Sequence, residues 1–256
     1  MKTVKWEQLP LKMQTEEVRK YYDIIKKHQF CLIIKRVFDI VVSFIALVCL
    51  SPVYLILAIA IKIDSPGPVF YRQERITQYG RSFRIHKFRT MVQNADKGLQ
   101  VTVNNDNRVT RVGKIIRDCR LDEIAQLIDV LQGNLTLVGV RPESPKYVAE
   151  YTDEMMATLL LPAGVTSLAS IYYKDEAKML DGVDDVDKVY IEEILPQKMY
   201  YNLKGIEEFS FFGDIRIMFM TVFAVLGKEY NENYQNLNRI KDEETVNKNV
   251  EKYSDD

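Results

Sequence analysis

The sequence predicts a helix-rich α/β fold of the α+β type, with a small β-hairpin or sheet, surface amphipathic helices and one apolar helix-break-helix segment. Three observations predict it. An apolar run at residues 40–61 carries Ser51-Pro52 at its midpoint, and two strand-like runs lie on either side of Tyr79-Gly80. Elsewhere apolar residues recur mainly at helical spacing. We divide the 256 residues into four segments, at 1–34, 35–63, 64–227 and 228–256.

Charge is segregated along the chain, although its formal total is only −1. Residues 1–120 contain 22 Lys and Arg against 10 Asp and Glu, whereas the remainder contains 13 against 26. A basic half that holds the apolar run favours contact with anionic lipid or phosphorylated ligands, although two differently charged faces would give the same counts. The three cysteines have neither disulfide nor metal-site spacing, which indicates a reduced, cytoplasmic setting.

Residues 1–34 are predicted to form an amphipathic helical arm. Apolar residues recur there at helical spacing among many charged ones, so one face of the helix would be apolar. Helices of this kind lie along membrane surfaces, and we expect the arm to do so.

The apolar run is long enough to cross a bilayer, at about 33 Å for a straight helix. Pro52 removes a backbone donor and should break or bend it, and we expect the Ser51 hydroxyl to satisfy a carbonyl group freed there. Basic residues on both sides satisfy the positive-inside rule best if both ends are cytoplasmic. A re-entrant membrane helix over 35–63 is therefore favoured narrowly over a spanning helix, and a buried core helix is left open.

Four charged residues near the ends of this segment are predicted to lie at the membrane interface: Lys35, Arg36, Asp39 and Lys62. A carboxylate at the start of a membrane segment is costly unless it is paired. Arg36 lies three residues before Asp39 on the same helical face, so we predict that these two side chains are partners.

A β-hairpin is predicted after the turn-forming SPGP sequence at 65–68, with Tyr79-Gly80 between its two strands. Six basic residues are interleaved there with aromatic ones: Arg72, Arg75, Arg81, Arg84, Lys87 and Arg89. Such a mixture can bind nucleic acid. The adjacent membrane segment favours lipid headgroups or a phosphorylated ligand instead, and we expect no nucleic acid partner.

The rest of the chain is predicted to be largely helical. A helix over 113–134 should end at Gly133, and LTLVGVRPESP should form a short buried strand followed by a loop. Further helices are expected near 146–161, 187–204 and 213–227, with PAGVTSLAS as a connection. The last segment is polar and is expected to be a tail.

The sequence RDCRLDE holds the most informative acidic residues, Asp122 and Glu123. Neighbouring carboxylates at a helix start can converge on one Mg²⁺ ion, which commonly shares substrate phosphates. Basic residues lie upstream at intervals of three, and Arg141 follows in a Val-Arg-Pro loop, so a diphosphate site is a candidate. Alternatively, the helix dipole alone favours acidic residues in a first turn.

Several motifs occur in the order found in the bacterial sugar transferase family, the monotopic phosphoglycosyl transferases, which this sequence resembles from Lys35 to about Leu226. They are KRVFD, LSPVYLILAIAIKIDSPGPVFYRQER, KFRTM, RVTRVGKIIR, LDEIAQLIDVLQGNLTLVGVRPE, PAGVTSLAS, DKVYIEEIL and DIRIMFMTVFAVL.

The resemblance implies transfer of a sugar 1-phosphate from a UDP-sugar to polyprenyl (undecaprenyl) phosphate, with release of UMP. It makes Asp122 the nucleophile of a covalent phosphosugar intermediate and Glu123 its helper, both as metal ligands for Mg²⁺. It assigns phosphate binding to Arg117 and Arg141, and also to Lys87 and Arg89. Further pocket residues implied are Pro142, Asp187 and Tyr190.

The resemblance also implies a re-entrant helix that breaks at Ser51-Pro52, which places a compact catalytic domain on the cytoplasmic face of the cell membrane, at its inner leaflet. The expected product begins a capsule, an exopolysaccharide or another surface glycan. A homodimer is left open. The alternatives are a catalytically silent membrane scaffold and a bitopic anchor with the same chemistry.

Overall fold

The computed structural model describes residues 1, 3–93, 95, 108–174, 176–180, 182–183, 185–227 and 230. Over these residues the chain forms ten α-helices and two small sheets, in agreement with the predicted helix-rich α+β class. The predicted polar tail, apart from Tyr230, lies outside the described residues.

The N-terminal arm holds two 3₁₀ turns, Trp6–Gln8 and Leu11–Met13, followed by helix α1, Glu16–Lys27. Thr15 caps α1 by accepting a hydrogen bond from the backbone N–H of Val18. The apolar face of α1 is buried against the 3₁₀ segment Met155–Leu160 and against a later helix. The face that was expected to lie on a membrane therefore packs within the protein.

Helix α2 runs from Gln29 to Asp64 and contains Pro52. It is long and apolar enough to cross a membrane, with a mean hydropathy of 2.7 in its most apolar window, of which 11% is buried. The expected pair of helices is thus one continuous element. Pro52 leaves the carbonyl of Val48 without its usual backbone donor, and the Ser51 hydroxyl donates to that carbonyl at 2.8 Å. The expectation for Ser51 is confirmed.

The predicted hairpin is confirmed. Strand β1, Phe70–Ile76, pairs antiparallel with β2, Ser82–Phe88, in a register from Phe70 opposite Phe88 to Ile76 opposite Ser82. Tyr79 and Gly80, with φ angles of 59° and 75°, form the left-handed turn.

The helix predicted over 113–134 is wrong as a single element. It consists of α3, Arg111–Asp118, a 3₁₀ turn at Glu123–Ala125, and α4, Gln126–Gln132. Arg120 has a φ of 53°, and the N–H of Leu121 bonds back to the Ile116 carbonyl, so α3 ends in a Schellman-type cap. The end of α4 at Gly133, with a φ of 83°, agrees with the prediction.

The predicted buried strand is β3, Leu135–Val138, which pairs in parallel with β4, Ala163–Thr166. Strand β4 lies within PAGVTSLAS, which was expected to be only a connection. A Cβ atom on Gly164 would lie 2.2 Å from the backbone nitrogen of Gly139, so this close approach requires glycine.

The remaining helices are α5 Pro145–Val148, α6 Leu168–Tyr172, α7 Glu176–Met179, α8 Val186–Val189, α9 Leu195–Glu207 and α10 Phe211–Val225, with a π-helical turn at Tyr190–Ile194 before α9. The helices predicted near 187–204 and 213–227 are confirmed, whereas the prediction near 146–161 is wrong as a single helix, and α6 and α7 were not predicted. The later helix that covers α1 is α9. Helix α10 exposes large apolar side chains, among them Phe212 and Phe219.

Buried polar contacts join the first part of α2 to the domain. The ammonium of Lys35 lies 2.6 Å from the carboxylate of Asp214 in α10. Asp39 accepts hydrogen bonds from the Thr136 hydroxyl and the Leu137 N–H. The predicted Arg36–Asp39 partnership is wrong. Arg36 donates instead to backbone carbonyls near the end of α4 and at the start of β3, those of Val130, Leu131 and Leu135.

The second part of α2 contacts the same domain. The Tyr54 hydroxyl donates to the carbonyl of Ile124 at 2.6 Å, and the Asp64 carboxylate accepts from the N–H of Val112 at 2.9 Å. Leu57 and Ile61 are buried in a cluster with residues of β2, α3 and the 3₁₀ turn. Lys62, in the last turn, is exposed.

Candidate active site

Asp122 lies at the interruption between α3 and α4, immediately before the 3₁₀ turn that begins with Glu123. The carbonyl of Asp122 accepts a hydrogen bond of 3.0 Å from the N–H of Phe88, which places the acidic pair at the end of β2. Burial raises the pKa of the Asp122 carboxyl, with a further contribution from neighbouring Glu123, while Lys87 and Arg117 oppose the rise.

Glu123 is held by two cations. Arg141 donates from its two amino groups to the two carboxylate oxygens of Glu123, one at 3.3 Å, and Lys87 donates to one of them at 3.2 Å. Burial alone would raise the pKa of Glu123, but the charges of Arg141 and Lys87 hold it well below its usual range. Glu123 therefore holds Lys87 and Arg141 together through hydrogen bonds to its carboxylate.

Lys87 and Arg141 also line a cavity of about 200 Å³. Four of its lining side chains are basic: Arg75, Lys87, Arg141 and Lys198. Pro142 and Tyr190, both implied by the family resemblance, also line it. Several cations in a concave site beside a carboxylate are suited to a ligand that carries two phosphates.

The lining of the cavity includes a buried charge network that the sequence analysis missed. Glu143 accepts hydrogen bonds from the Tyr190 hydroxyl at 2.7 Å and from the Lys198 ammonium at 3.0 Å. Lys198 also donates to Glu176 at 3.0 Å. Glu143 directly follows the Arg-Pro motif, which could have drawn attention to it, whereas no pattern around Lys198 distinguishes it from other helical lysines.

Other predicted phosphate-binding residues contact the protein itself. The two amino groups of Arg89 donate to the carbonyls of Ser65 and Pro66 at 2.6 and 2.9 Å, and Arg89 does not line the described cavity. Arg117 donates from its Nε to the Thr90 hydroxyl at 2.8 Å. Of the four predicted residues, Lys87 and Arg141 donate hydrogen bonds to Glu123.

Asp187 does not line the cavity but binds Tyr147, which does. Its carboxylate accepts from the Tyr147 hydroxyl at 2.9 Å and pairs with Lys146 at 2.5 Å. These contacts hold the pKa of Asp187 below its ordinary value. Tyr147 lines the cavity, so Asp187 positions one of its walls.

A divalent cation fits the acidic pair only together with a substrate. The described residues contain no group of three or more His, Cys, Asp and Glu side chains that could hold a metal ion. Magnesium usually needs only one or two carboxylates when substrate phosphates and water complete its coordination. Because Glu123 is already paired with two cations, Asp122 is the stronger candidate ligand of the two.

Comparison with known proteins gives one family and several relatives. Residues 30–228 match a family model described as bacterial sugar transferase. A UDP-N-acetylgalactosamine-undecaprenyl-phosphate N-acetylgalactosaminephosphotransferase of Aeromonas hydrophila is 37% identical over 75% of this chain and 44% of its own length. A UDP-glucose:undecaprenyl-phosphate glucose-1-phosphate transferase of Klebsiella pneumoniae is 35% identical over 75% of this chain and 40% of its own length. The chain therefore spans less than half the length of these two relatives.

Proposed function

Because the chain belongs to the bacterial sugar transferase family, we propose that it transfers a sugar 1-phosphate from a UDP-sugar to polyprenyl phosphate and releases UMP. The observation that carries the proposal is that Glu123, the neighbour of Asp122, binds Lys87 and Arg141, two cations that line the cavity. The reactions in the names of the two relatives support it.

In the first step, a carboxylate oxygen of Asp122 attacks the phosphorus that carries the sugar. A bond from Asp122 to phosphorus forms, the bond from that phosphorus to the bridging oxygen breaks, and UMP leaves with the electron pair. Arg141 and Lys87 offset the negative charge of the diphosphate. Glu123 holds these two cations in place, because it is hydrogen-bonded to both.

In the second step, an oxygen of polyprenyl phosphate attacks the phosphorus of the phosphosugar intermediate. The bond to Asp122 breaks, and the carboxylate is regenerated. Asp122 and Glu123 would hold Mg²⁺ together with substrate phosphates, and when bound the ion would neutralise diphosphate charge. We expect a chelator to abolish UMP release and added Mg²⁺ to restore it.

We propose that α2 is re-entrant and that both of its ends lie on the cytoplasmic face of the cell membrane. The contacts at the two ends of α2 support this, because the Lys35–Asp39 region and the Tyr54–Asp64 region bind the same domain. The apolar middle of the helix is exposed and is the part that would enter the lipid. The product would then serve the first membrane step of capsule, exopolysaccharide or other surface-glycan assembly.

The test is release of UMP by the full chain in lipid nanodiscs, with undecaprenyl phosphate, Mg²⁺ and a panel of UDP-sugars. We expect release with at least one donor and a loss of about 10³-fold or more in Asp122→Asn. Without acceptor, the wild-type protein should gain the mass of a sugar phosphate on the peptide that holds Asp122. Asp118→Asn, an exposed carboxylate four residues earlier, is the matched control.

Activity that persists in Asp122→Asn would show that the nucleophile is another group. A folded, membrane-inserted wild-type protein that releases no UMP from any donor would favour the alternative of a catalytically silent scaffold.

A further inference from the structure

One wall of the cavity consists of polar groups that the proposed reaction steps do not use. Glu143, Ser144 and Lys198, which we call the polar wall, are exposed by only 7%, 6% and 4%. The Ser144 hydroxyl has no hydrogen-bond partner within the described part of the chain. A buried hydroxyl without a partner is uncommon in folded proteins, and a ligand in the cavity could satisfy it.

The charges of the polar wall are also costly to bury. Replacing a buried ion pair by apolar side chains is often neutral or stabilising, so the Glu143–Lys198 pair is poorly explained by stability alone. Perturbed charged groups that line a cleft are typical of functional sites. The polar wall therefore indicates a ligand that both donates and accepts hydrogen bonds.

The order of groups along a UDP-sugar identifies which part would reach this wall. Lys87 and Arg141 line the cavity and also bind Glu123, the neighbour of the proposed nucleophile. The phosphorus that Asp122 attacks carries the sugar directly, whereas uridine lies one phosphate further away. The sugar is therefore the donor group closest to the cavity beside the acidic pair.

The chemistry of the wall agrees with this order. A carboxylate, an ammonium group and a hydroxyl match the hydroxyl groups of a pyranose ring, which donate and accept hydrogen bonds. A uracil base would favour an open aromatic face. The two tyrosine rings of the cavity, Tyr147 and Tyr190, lie against each other with centroids 4.4 Å apart.

We propose that the polar wall formed by Glu143, Ser144 and Lys198 binds the pyranosyl ring of the sugar donor and contributes to the selection of that sugar. This inference rests on the proposed function, since the position of the sugar follows from attack by Asp122.

The test measures binding of UDP-glucose, UDP-N-acetylgalactosamine and UDP to the full chain in nanodiscs by calorimetry. Ser144→Ala should weaken binding of at least one UDP-sugar by roughly 2- to 10-fold, the effect of one neutral hydrogen bond, and leave UDP binding unchanged. Because Ser144 has no described partner, this change should not disturb folding. Ser43→Ala, another buried and unpartnered hydroxyl but in α2, is the matched control and should change neither affinity.

Glu143→Gln is the second variant, with folding checked by circular dichroism and thermal unfolding. It should weaken binding of the UDP-sugar by roughly 10-fold or more and that of UDP by less than about 2-fold. Equal losses for UDP and the UDP-sugars in both variants would overturn the inference, because the wall would then contact uridine or phosphate. Unchanged binding of both sugars in Ser144→Ala and Glu143→Gln would overturn it as well.

Failure of the proposed function has a different result. In that case the wild-type protein releases no UMP in the presence of undecaprenyl phosphate, whatever the binding data show. Binding that depends on the polar wall for the UDP-sugar alone would still support the pyranosyl site.

Discussion

The carboxylate of Asp39 in α2 accepts a hydrogen bond of 2.5 Å from the hydroxyl of Thr136 in β3. Both residues are only 1% exposed. The Lys35–Asp214 pair lies one turn earlier along α2, so polar contacts and not apolar packing alone join this helix to the domain. Buried polar contacts of this kind favour one arrangement, because a shifted helix would leave charges without partners.

Thr136→Val should destabilise the protein by about 2 kcal/mol, because it removes a hydrogen bond to a buried charged acceptor. Thermal unfolding in detergent measures the effect. A double-mutant cycle that combines Thr136→Val with Asp39→Asn should give an interaction free energy between the two side chains of about 0.5 kcal/mol or more. The control is Thr158→Val. The buried Thr158 hydroxyl donates to the neutral carbonyl of Met155, so its loss should lower the free energy of unfolding by less than Thr136→Val does. Additive effects of Thr136→Val and Asp39→Asn would contradict the described coupling.

Arg141→Lys should lower the rate of UMP release by roughly 10- to 100-fold, because an ammonium group cannot replace the two-pronged contact with Glu123. The measurement is kcat/KM with the preferred donor. Arg19→Lys replaces an exposed arginine paired with Asp23 and should leave the rate unchanged. A rate in Arg141→Lys equal to that of the wild type would mean that the planar guanidinium is not needed.

Single-cysteine labelling tests the topology of α2. In a protein with Cys31, Cys49 and Cys119 replaced by serine, Phe30→Cys and Ile63→Cys place a thiol at exposed positions near the two ends of the helix, 73% and 82% exposed. We expect an impermeant maleimide to modify both from the cytoplasmic side of membrane vesicles. The protein that retains only Cys119, which is exposed at the end of α3, marks the side of the domain. Labelling of the two ends from opposite sides would establish a spanning helix.

Glu143 should make stability depend on pH. Burial alone would raise the pKa of its carboxyl, but the Lys198 charge and the Tyr190 hydrogen bond outweigh burial and lower the pKa. A lowered pKa contributes stability above the pKa of the unfolded state, about 4.3, and this stability is lost as pH falls through the folded-state pKa. The difference in melting temperature between wild type and Glu143→Gln should therefore be constant near neutral pH and shrink below about pH 4.3. If the difference in melting temperature instead grows as pH falls, the pKa of Glu143 is raised in the folded state, and the assignment of a lowered pKa is wrong.

Local patterns predicted the elements whose geometry is set by a few neighbouring residues. The hairpin turn at Tyr79-Gly80, the end of α4 at Gly133 and the bond from Ser51 to a freed carbonyl all depend on backbone preferences within four residues. The sequence did not place Asp122 and Glu123 correctly, because the single helix predicted over 113–134 is interrupted between Asp118 and the 3₁₀ turn that begins with Glu123.

Features that depend on distant contacts could not be predicted in this way. Residues 163–166 form strand β4 because they pair with β3. Arg36 forms its hydrogen bond with Val130 near the end of α4, 94 residues away along the chain, and not with Asp39. Glu143 and Lys198 are 55 positions apart, and only the folded chain brings them together. Arg89 matched a family motif, but the motif alone does not distinguish a residue that binds phosphate from one that binds a backbone carbonyl.

The hydrogen bonds of Arg89 help to connect the end of α2 to the acidic pair. Arg89 binds the carbonyls of Ser65 and Pro66 directly after α2, and its neighbour Phe88 donates to the carbonyl of Asp122. Only two hydrogen-bonded links thus separate the end of the apolar helix from the acidic pair. If α2 is inserted in the membrane as proposed, these links would hold Asp122 at a fixed height above the bilayer, and the phosphate of the proposed acceptor would have to reach that height.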